Sequence, residues 1–208
     1  MDWNEVIDCL KNSKEPDDID RRRDEIAEWL PIVKTMFDYD QNGIYHQYDL
    51  WMHCVYAVLE LPKEIDDDML YLAALLHDIG KPSCRCSSGR EGDNYSHYYG
   101  HPEKGAEVIE ENVIPALSDK GVELSIDDIR RLKYYVGYHD DRVSLKMKHL
   151  RRHLKLASLD EFKKLMKLQV ADAKAHGISC EESQRIEICG AWATEYADEV
   201  YEKIRDGM

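Results

Sequence analysis

His77 and Asp78 stand side by side at the end of an apolar run over residues 70–79, inside the string HDIGKP at 77–82. An imidazole and a carboxylate at the end of a buried helix are expensive to desolvate unless something binds both, and a divalent cation is the commonest such partner. Other residues of ligand type lie far apart in the chain, each in a segment with helical patterning: His53, His101, His139 and Asp172. A mixed imidazole and carboxylate set suits Mn, Fe, Co, Ni or Zn better than Ca, which prefers oxygen cages. A water on such an ion is acidified toward neutrality and can attack phosphorus in line with a leaving oxygen.

Individual residues carry more than one reading. His46 and His53 are seven residues apart, so a continuous helix puts both on one face, and either could be a ligand by geometry. Asp49, one turn before His53, could orient it by accepting the second ring N–H. His77 and Asp78 point about 100° apart on a helix and reach one ion only where a bundle closes around it. Gly80 lets the chain leave the helix without a Cβ clash. Lys81 suits a phosphate oxygen, and suits equally the negative C-terminus of the helix. Asp172 follows the apolar stretch 165–170 between Ala171 and Ala173; small neighbours allow close helix packing, where a carboxylate is costly without a cation.

In order, these residues spell H…HD…H…H…D, framed by LLHDIGKP (75–82), YYGHPEKGAEVIEE (98–111), YYVGYHD (134–140) and LQVADAKAHG (168–177). The pattern resembles the HD-domain metal-dependent phosphohydrolases. Over roughly residues 45–177 it is similar to the HD domain behind the catalytic head of bacterial CCA-adding tRNA nucleotidyltransferases. The resemblance implies an all-α helical bundle. It also implies one metal held by His53, His77, Asp78 and Asp172, and so selects His53 over His46. His101 and His139 are left as ligands of a second ion bridged by Asp78, or as contacts to a substrate phosphate or a water. On this reading His77, Asp78 and Lys81 are the catalytic candidates; Lys81, His46, His101 and His139 are the substrate-binding ones. The nucleotidyltransferase head carries a Gly-Ser motif followed by paired aspartates on a strand. No such segment occurs in the 44 residues ahead of Tyr45, so the chain reads as a free-standing HD protein.

The elements that must position these side chains are helical. Periodicity predicts helices over 3–10, 18–36 with a kink or restart at Pro31, 48–61, from about 66–68 to 80–82, 101–117, 125–139, 146–157, 159–176 and 181–205. Residues 38–43 read as a turn and 83–97 as a polar loop, either a surface excursion or a wall over the site. Nothing alternates over strand length. A chain of 208 residues, 43% hydrophobic, can form one compact domain. Its HD core is expected at about 45–177, with helical extensions at 1–44 and 178–208 packed on the outside.

Composition narrows the setting. The chain has no apolar run of membrane-span length and no basic-then-apolar start, which predicts a cytoplasmic protein, with its six cysteines as free thiols. A formal charge of −14 opposes a broad nucleic-acid surface. Residues 142–155 nevertheless carry six Lys or Arg and no acid, either a local attraction for an anionic substrate or a solvated helix face over Met147, Leu150 and Leu154.

The expected function is hydrolysis of a small phosphomonoester or phosphodiester, a nucleotide or a 2′,3′-cyclic phosphate, with one or two Mn, Ni, Co, Fe or Zn ions. A different class, a metal- or nucleotide-binding regulatory module with little turnover, is the alternative, and a tRNA-processing role stands third. The complete ligand set with Lys81 favours the enzyme.

Overall fold

The computed structural model describes residues 1–43, 47–141, 146–176 and 181–207, without the side chains of 182 and 183. Its architecture is all-α. Among the described residues no helix is long and apolar enough to cross a membrane.

Four helices frame the site. Helix α5 (Asp68–Leu76) is apolar on every side, and Met69 through Leu76 are all buried, which makes it the central helix. Its cap, Asp67, accepts from the Leu70 N–H at 3.2 Å. The same buried carboxylate accepts from the Tyr135 hydroxyl at 3.2 Å and pairs with Arg131 at 3.2 Å and Lys164 at 3.0 Å. Those groups belong to α9 (Ile126–Tyr138) and α11 (Leu159–Ala175), so one capping residue ties three helices together. Both α9 and α11 open on capping boxes, Ser125 with Asp128 and Ser158 with Glu161. Helix α4 (Leu50–Glu60) packs between α5 and α11, burying Leu50, Trp51, Cys54, Val55 and Val58.

The N-terminal segment breaks up more than its periodicity predicts. After α1 (Trp3–Asn12), the expected 18–36 helix becomes α2 (Pro16–Asp20), α3 (Arg23–Trp29) and a 3-10 turn at Pro31–Thr35. Pro31 has no N–H to continue α3 and instead opens the tighter turn. This segment also lies deeper than an outer layer: Val6, Leu10, Ile26, Leu30 and Met36 are fully buried in the same core as α5, and the Trp51 indole donates to Asp20 at 2.9 Å. At the other end, α12 (Glu181–Arg205) packs along α11 and α10 (Met147–His153), inserting Ala193 and Ala197.

The central helix stops earlier than expected, at Leu76, and a turn over 77–80 leads into the short α6 (Lys81–Cys84). His77 and Asp78 therefore sit on a turn. The loop beyond contains a small antiparallel hairpin, β1 (Cys86–Ser87) against β2 (Ser96–His97), with Cys86 opposite His97 and Ser87 opposite Ser96. Two-residue strands are too short to leave an alternating pattern. The expected 101–117 helix is present as α7 (His101–Val108), a π turn (Ile109–Val113) and α8 (Ile114–Ser118). Pro115 cannot donate to the carbonyl four residues back, and the wider turn precedes it.

Gly80 matters for a reason other than chain direction, since its φ of −77° is open to any residue. Helix α7 crosses directly over it: a Cβ at Gly80 would lie 2.2 Å from the His101 carbonyl oxygen and 2.7 Å from the Gly105 nitrogen. Gly80→Ala must push α7, and His101 with it, off the turn. The expected loss is about 2 kcal/mol, typical of overpacking a tight contact. Urea unfolding measures it, and an unchanged midpoint would show that α7 yields freely.

Candidate metal centre

The turn after α5 brings His77 and Asp78 against α4 and α11. The His53 Nε2 of α4 lies 3.2 Å from His77 Nε2, 3.0 Å from Asp172 Oδ1 and 3.4 Å from Asp78 Oδ2. His77 Nε2 is 3.4 Å from each of the same two carboxylates. On the opposite edge of Asp78, Oδ1 faces His101 Nε2 at 3.1 Å and His139 Nε2 at 3.5 Å, and those two nitrogens are 3.1 Å apart. Each oxygen of one carboxylate thus meets its own pair of imidazoles, and all six sequence candidates for metal ligation gather around Asp78.

The ring orientations test whether a cation fits. The Nδ1 of His77 lies 2.9 Å from the Ala74 carbonyl, that of His101 2.8 Å from Tyr98 O, and that of His139 2.7 Å from Val136 O. A carbonyl only accepts, so each Nδ1 carries a hydrogen and each ring turns its Nε2 inward, where it offers a lone pair unless a second proton sits there. Opposed lone pairs at 3.1–3.2 Å repel unless a proton or a metal lies between them. Carbonyl-anchored imidazoles beside carboxylates are the arrangement in which protein ligands hold a transition metal. The donor set fits, and the same residues form groups able to hold an ion: His53, His77 and Asp78; Asp78, His101 and His139.

Electrostatics show how strongly the cluster favours positive charge. Burial pushes the Asp78 carboxyl up, yet the Lys81 and His77 charges and the hydrogen bonds of His101 and His139 hold it well below the usual carboxylate range. Burial likewise opposes ionisation of Asp172, and His77 and His53 outweigh it. His77 is raised well above an ordinary histidine: desolvation works against its charge, and Cys54, Asp78 and Asp172 prevail. Protons fill the role here that a metal ion would take over.

Several expectations about neighbours change. Lys81 lines the pocket, but its ammonium is buried and already paired, 2.6 Å from Asp78 Oδ2 and 2.9 Å from Gln41 Oε1. Asp49 does not orient His53; it caps α4 by accepting from Met52 N at 2.8 Å, and His53 Nδ1 faces the Ala175 carbonyl at 3.4 Å. Helix α4 starts at Leu50, so the shared-face argument does not reach back to His46, which lies outside the described residues. Of the basic stretch, Leu150 is buried, Leu154 partly so and Met147 exposed, while Arg152 reaches the site's wall.

Sequence reasoning also passed over two participants. His176 stacks on His53 with ring centres 5.1 Å apart and groups with His53 and Asp172. Its signal was the four-residue step from Asp172 in LQVADAKAHG. Gln41, buried and bonded to Lys81, had none, because nothing in its spacing separates it from a turn residue. The centre opens into a pocket of about 1060 Å³ lined by Lys81, Tyr98, Tyr99, Asp140, Arg152 and His176 among others. The 83–97 loop contributes Ser96 and His97 to that lining, as a wall.

Comparison with known proteins agrees with this geometry. The family model for the HD domain matches residues 43–175, a span that includes Asp78 and the five ligand-type residues gathered with it. Over 149 residues, 71% of this chain, the sequence is 31% identical to the CC-adding tRNA nucleotidyltransferase of Thermus thermophilus. The matched region spans 32% of that protein's length. HD domains are in general metal-dependent hydrolases. With the pattern matched over more than half its length and the ligand-type residues converging on one carboxylate, the chain belongs to the HD-domain family.

Proposed function

We propose that this protein is a metal-dependent phosphohydrolase acting on a small phosphomonoester or phosphodiester, a nucleotide or a 2′,3′-cyclic phosphate. The observation that supports it most is the division of Asp78: Oδ2 toward His53 and His77, Oδ1 toward His101 and His139, at the floor of an open pocket. A divalent transition ion held by His53, His77, Asp78 and Asp172 would supply an activated water and a positive charge for phosphoryl oxygens. The protein's own residues do the rest. Carbonyl anchors at Ala74, Tyr98 and Val136 keep three imidazoles aimed at Asp78. Lys81 maintains a buried positive charge beside Asp78, suited to a phosphate oxygen once a cation satisfies that carboxylate. His101 and His139 either complete a weaker second ion with Asp78 or hold the phosphate or a water. A pocket of about 1060 Å³ exceeds what an isolated phosphate needs and accommodates a nucleotide, with Tyr98 and Tyr99 among its lining residues.

A second reading has an observation of its own. The Lys81–Asp78 pair at 2.6 Å meets much of the carboxylate's need without any metal, as a ligand-binding module with little turnover would allow.

Three measurements separate these readings. Elemental analysis of protein reconstituted with Mn, Ni, Co, Fe or Zn is expected to show that Asp78→Ala lowers bound metal by about one equivalent; equal content in both proteins would overturn the assigned ligands. Phosphoester hydrolysis across a nucleotide and cyclic-phosphate panel is expected to require metal and to fall roughly a hundredfold or more in His77→Ala. A silent panel with metal loaded would promote the module. The paired variant His101→Ala/His139→Ala is expected to keep the tightly held ion while activity drops, because two imidazoles beyond the bridge give a second ion few protein ligands. Loss of a dialysis-resistant equivalent in that variant would instead show a tight two-metal centre.

A further inference from the structure

A different group of ligand-type side chains takes no part in the chemistry above. Asp141 follows α9, and His149 and His153 lie one turn apart on α10, so both rings share a face. One donor atom from each of the three lies within 4.8 Å of the others, and the two imidazole centres are 4.6 Å apart.

His153 is fully buried. Its Nδ1 is 2.9 Å from the Tyr134 hydroxyl, and its Nε2 is 3.2 Å from Asp141 Oδ2 without the alignment of a hydrogen bond. The Nε2 of His149 is also buried, and it too lacks a hydrogen-bond partner among the described residues. An unmet buried polar atom costs about 1–3 kcal/mol, and His153 Nε2, 3.2 Å from Asp141 Oδ2, is placed to share one partner with that carboxylate. Asp141 is held in place through its backbone, whose carbonyl accepts from Gln169 of α11 at 2.7 Å.

We propose that Asp141, His149 and His153 form a further binding site for a transition-metal ion of the Zn²⁺ or Co²⁺ type, separate from the HD centre. Two imidazoles and a carboxylate match the borderline-soft preference of these ions and leave a position for water. The Tyr134 hydroxyl on the remote nitrogen of His153 is the outer contact that fixes a ligand ring. Arg152 now stands in for the cation: its guanidinium pairs with Asp141 Oδ2 and lies 3.2 Å from His149 Nδ1. Its side chain is 52% exposed, so exchanging it for an ion leaves no charge buried. Binding would tie α10 to the end of α9 and release Arg152 along the pocket wall that it lines with Asp141.

Titrating the chelator-stripped chain with Zn²⁺ or Co²⁺ tests this in two backgrounds, wild type and Asp78→Ala. In each, adding His149→Ala is expected to remove about one equivalent of binding, together with part of the visible Co²⁺ absorption. Because the Asp78 substitution reports on the HD centre alone, failure there leaves this comparison intact. Should His149→Ala unfold, as circular dichroism would reveal, Asp141→Asn removes the charge at nearly constant volume and serves in its place. Equal stoichiometry with and without the substitution in both backgrounds would overturn the site.

Discussion

One carboxylate constrains this molecule more than any other group. Asp78 is 2% exposed, and cationic or imidazole groups reach it from α4, from its own turn, from α6, from α7 and from the end of α9. Removing a carboxylate from water costs several kcal/mol, so a fold that buries one must deliver compensation to both its oxygens. The delivery explains features that look unrelated in the chain. Helix α5 stops at Leu76 so that His77 and Asp78 can turn toward different neighbours. The residue at 80 has no side chain because α7 passes within contact distance to bring His101 to Oδ1. Gln41, far ahead in sequence, reaches the site by accepting from Lys81 and holding its ammonium against Asp78.

Asp67 shows why burial of an acid is not in itself a metal signal. Its side chain is as buried as that of Asp78 and also joins three helices, but its partners are an arginine, a lysine, a tyrosine hydroxyl and a backbone N–H, all of them donors. That set closes on itself. Around Asp78, the anchored imidazoles turn Nε2 atoms toward one another, and those contacts close only with a proton or a metal ion between them. The difference lies in what surrounds the acid, and it separates a structural anchor from a centre built around a cation.

The same distinction accounts for how much could be read from the sequence. His53, His77, Asp78, His101, His139 and Asp172 were legible because six ligand-type residues in that order along helical segments seldom coincide by chance, and the structure gathers all six. Central helices were legible where capping and apolar pattern agree, as in α9 and α11. Asp49 misled because an aspartate one turn before a histidine is also an aspartate at a helix start, and the unpaired N–H groups there claimed it. For Lys81, spacing placed it near the site without showing that its ammonium faces Asp78. The helix over 18–36 restarts at Pro31, as expected, but it also breaks at the turn between α2 and α3, where burial of Ile19, Ile26 and Leu30 from successive short pieces replaced one continuous stripe.

Charge distribution bears on the size of the molecule that can enter. The chain carries −14 overall, so an extended polyanion laid across it meets repulsion over most of its length. The pocket mixes both signs: Lys81, Arg152 and four histidines gather there with Asp78, Glu103, Asp140, Asp141, Asp172 and Glu181. On the function proposed above, a metal ion at the floor would supply the attraction, which a small phosphoester would collect with little of the surface repulsion and a long nucleic acid only together with it. Fixed donors and charge at one buried point in a chain of net charge −14 would suit a compact anion better than a long polyanion, which is the reason a small phosphoester is the substrate proposed for this centre.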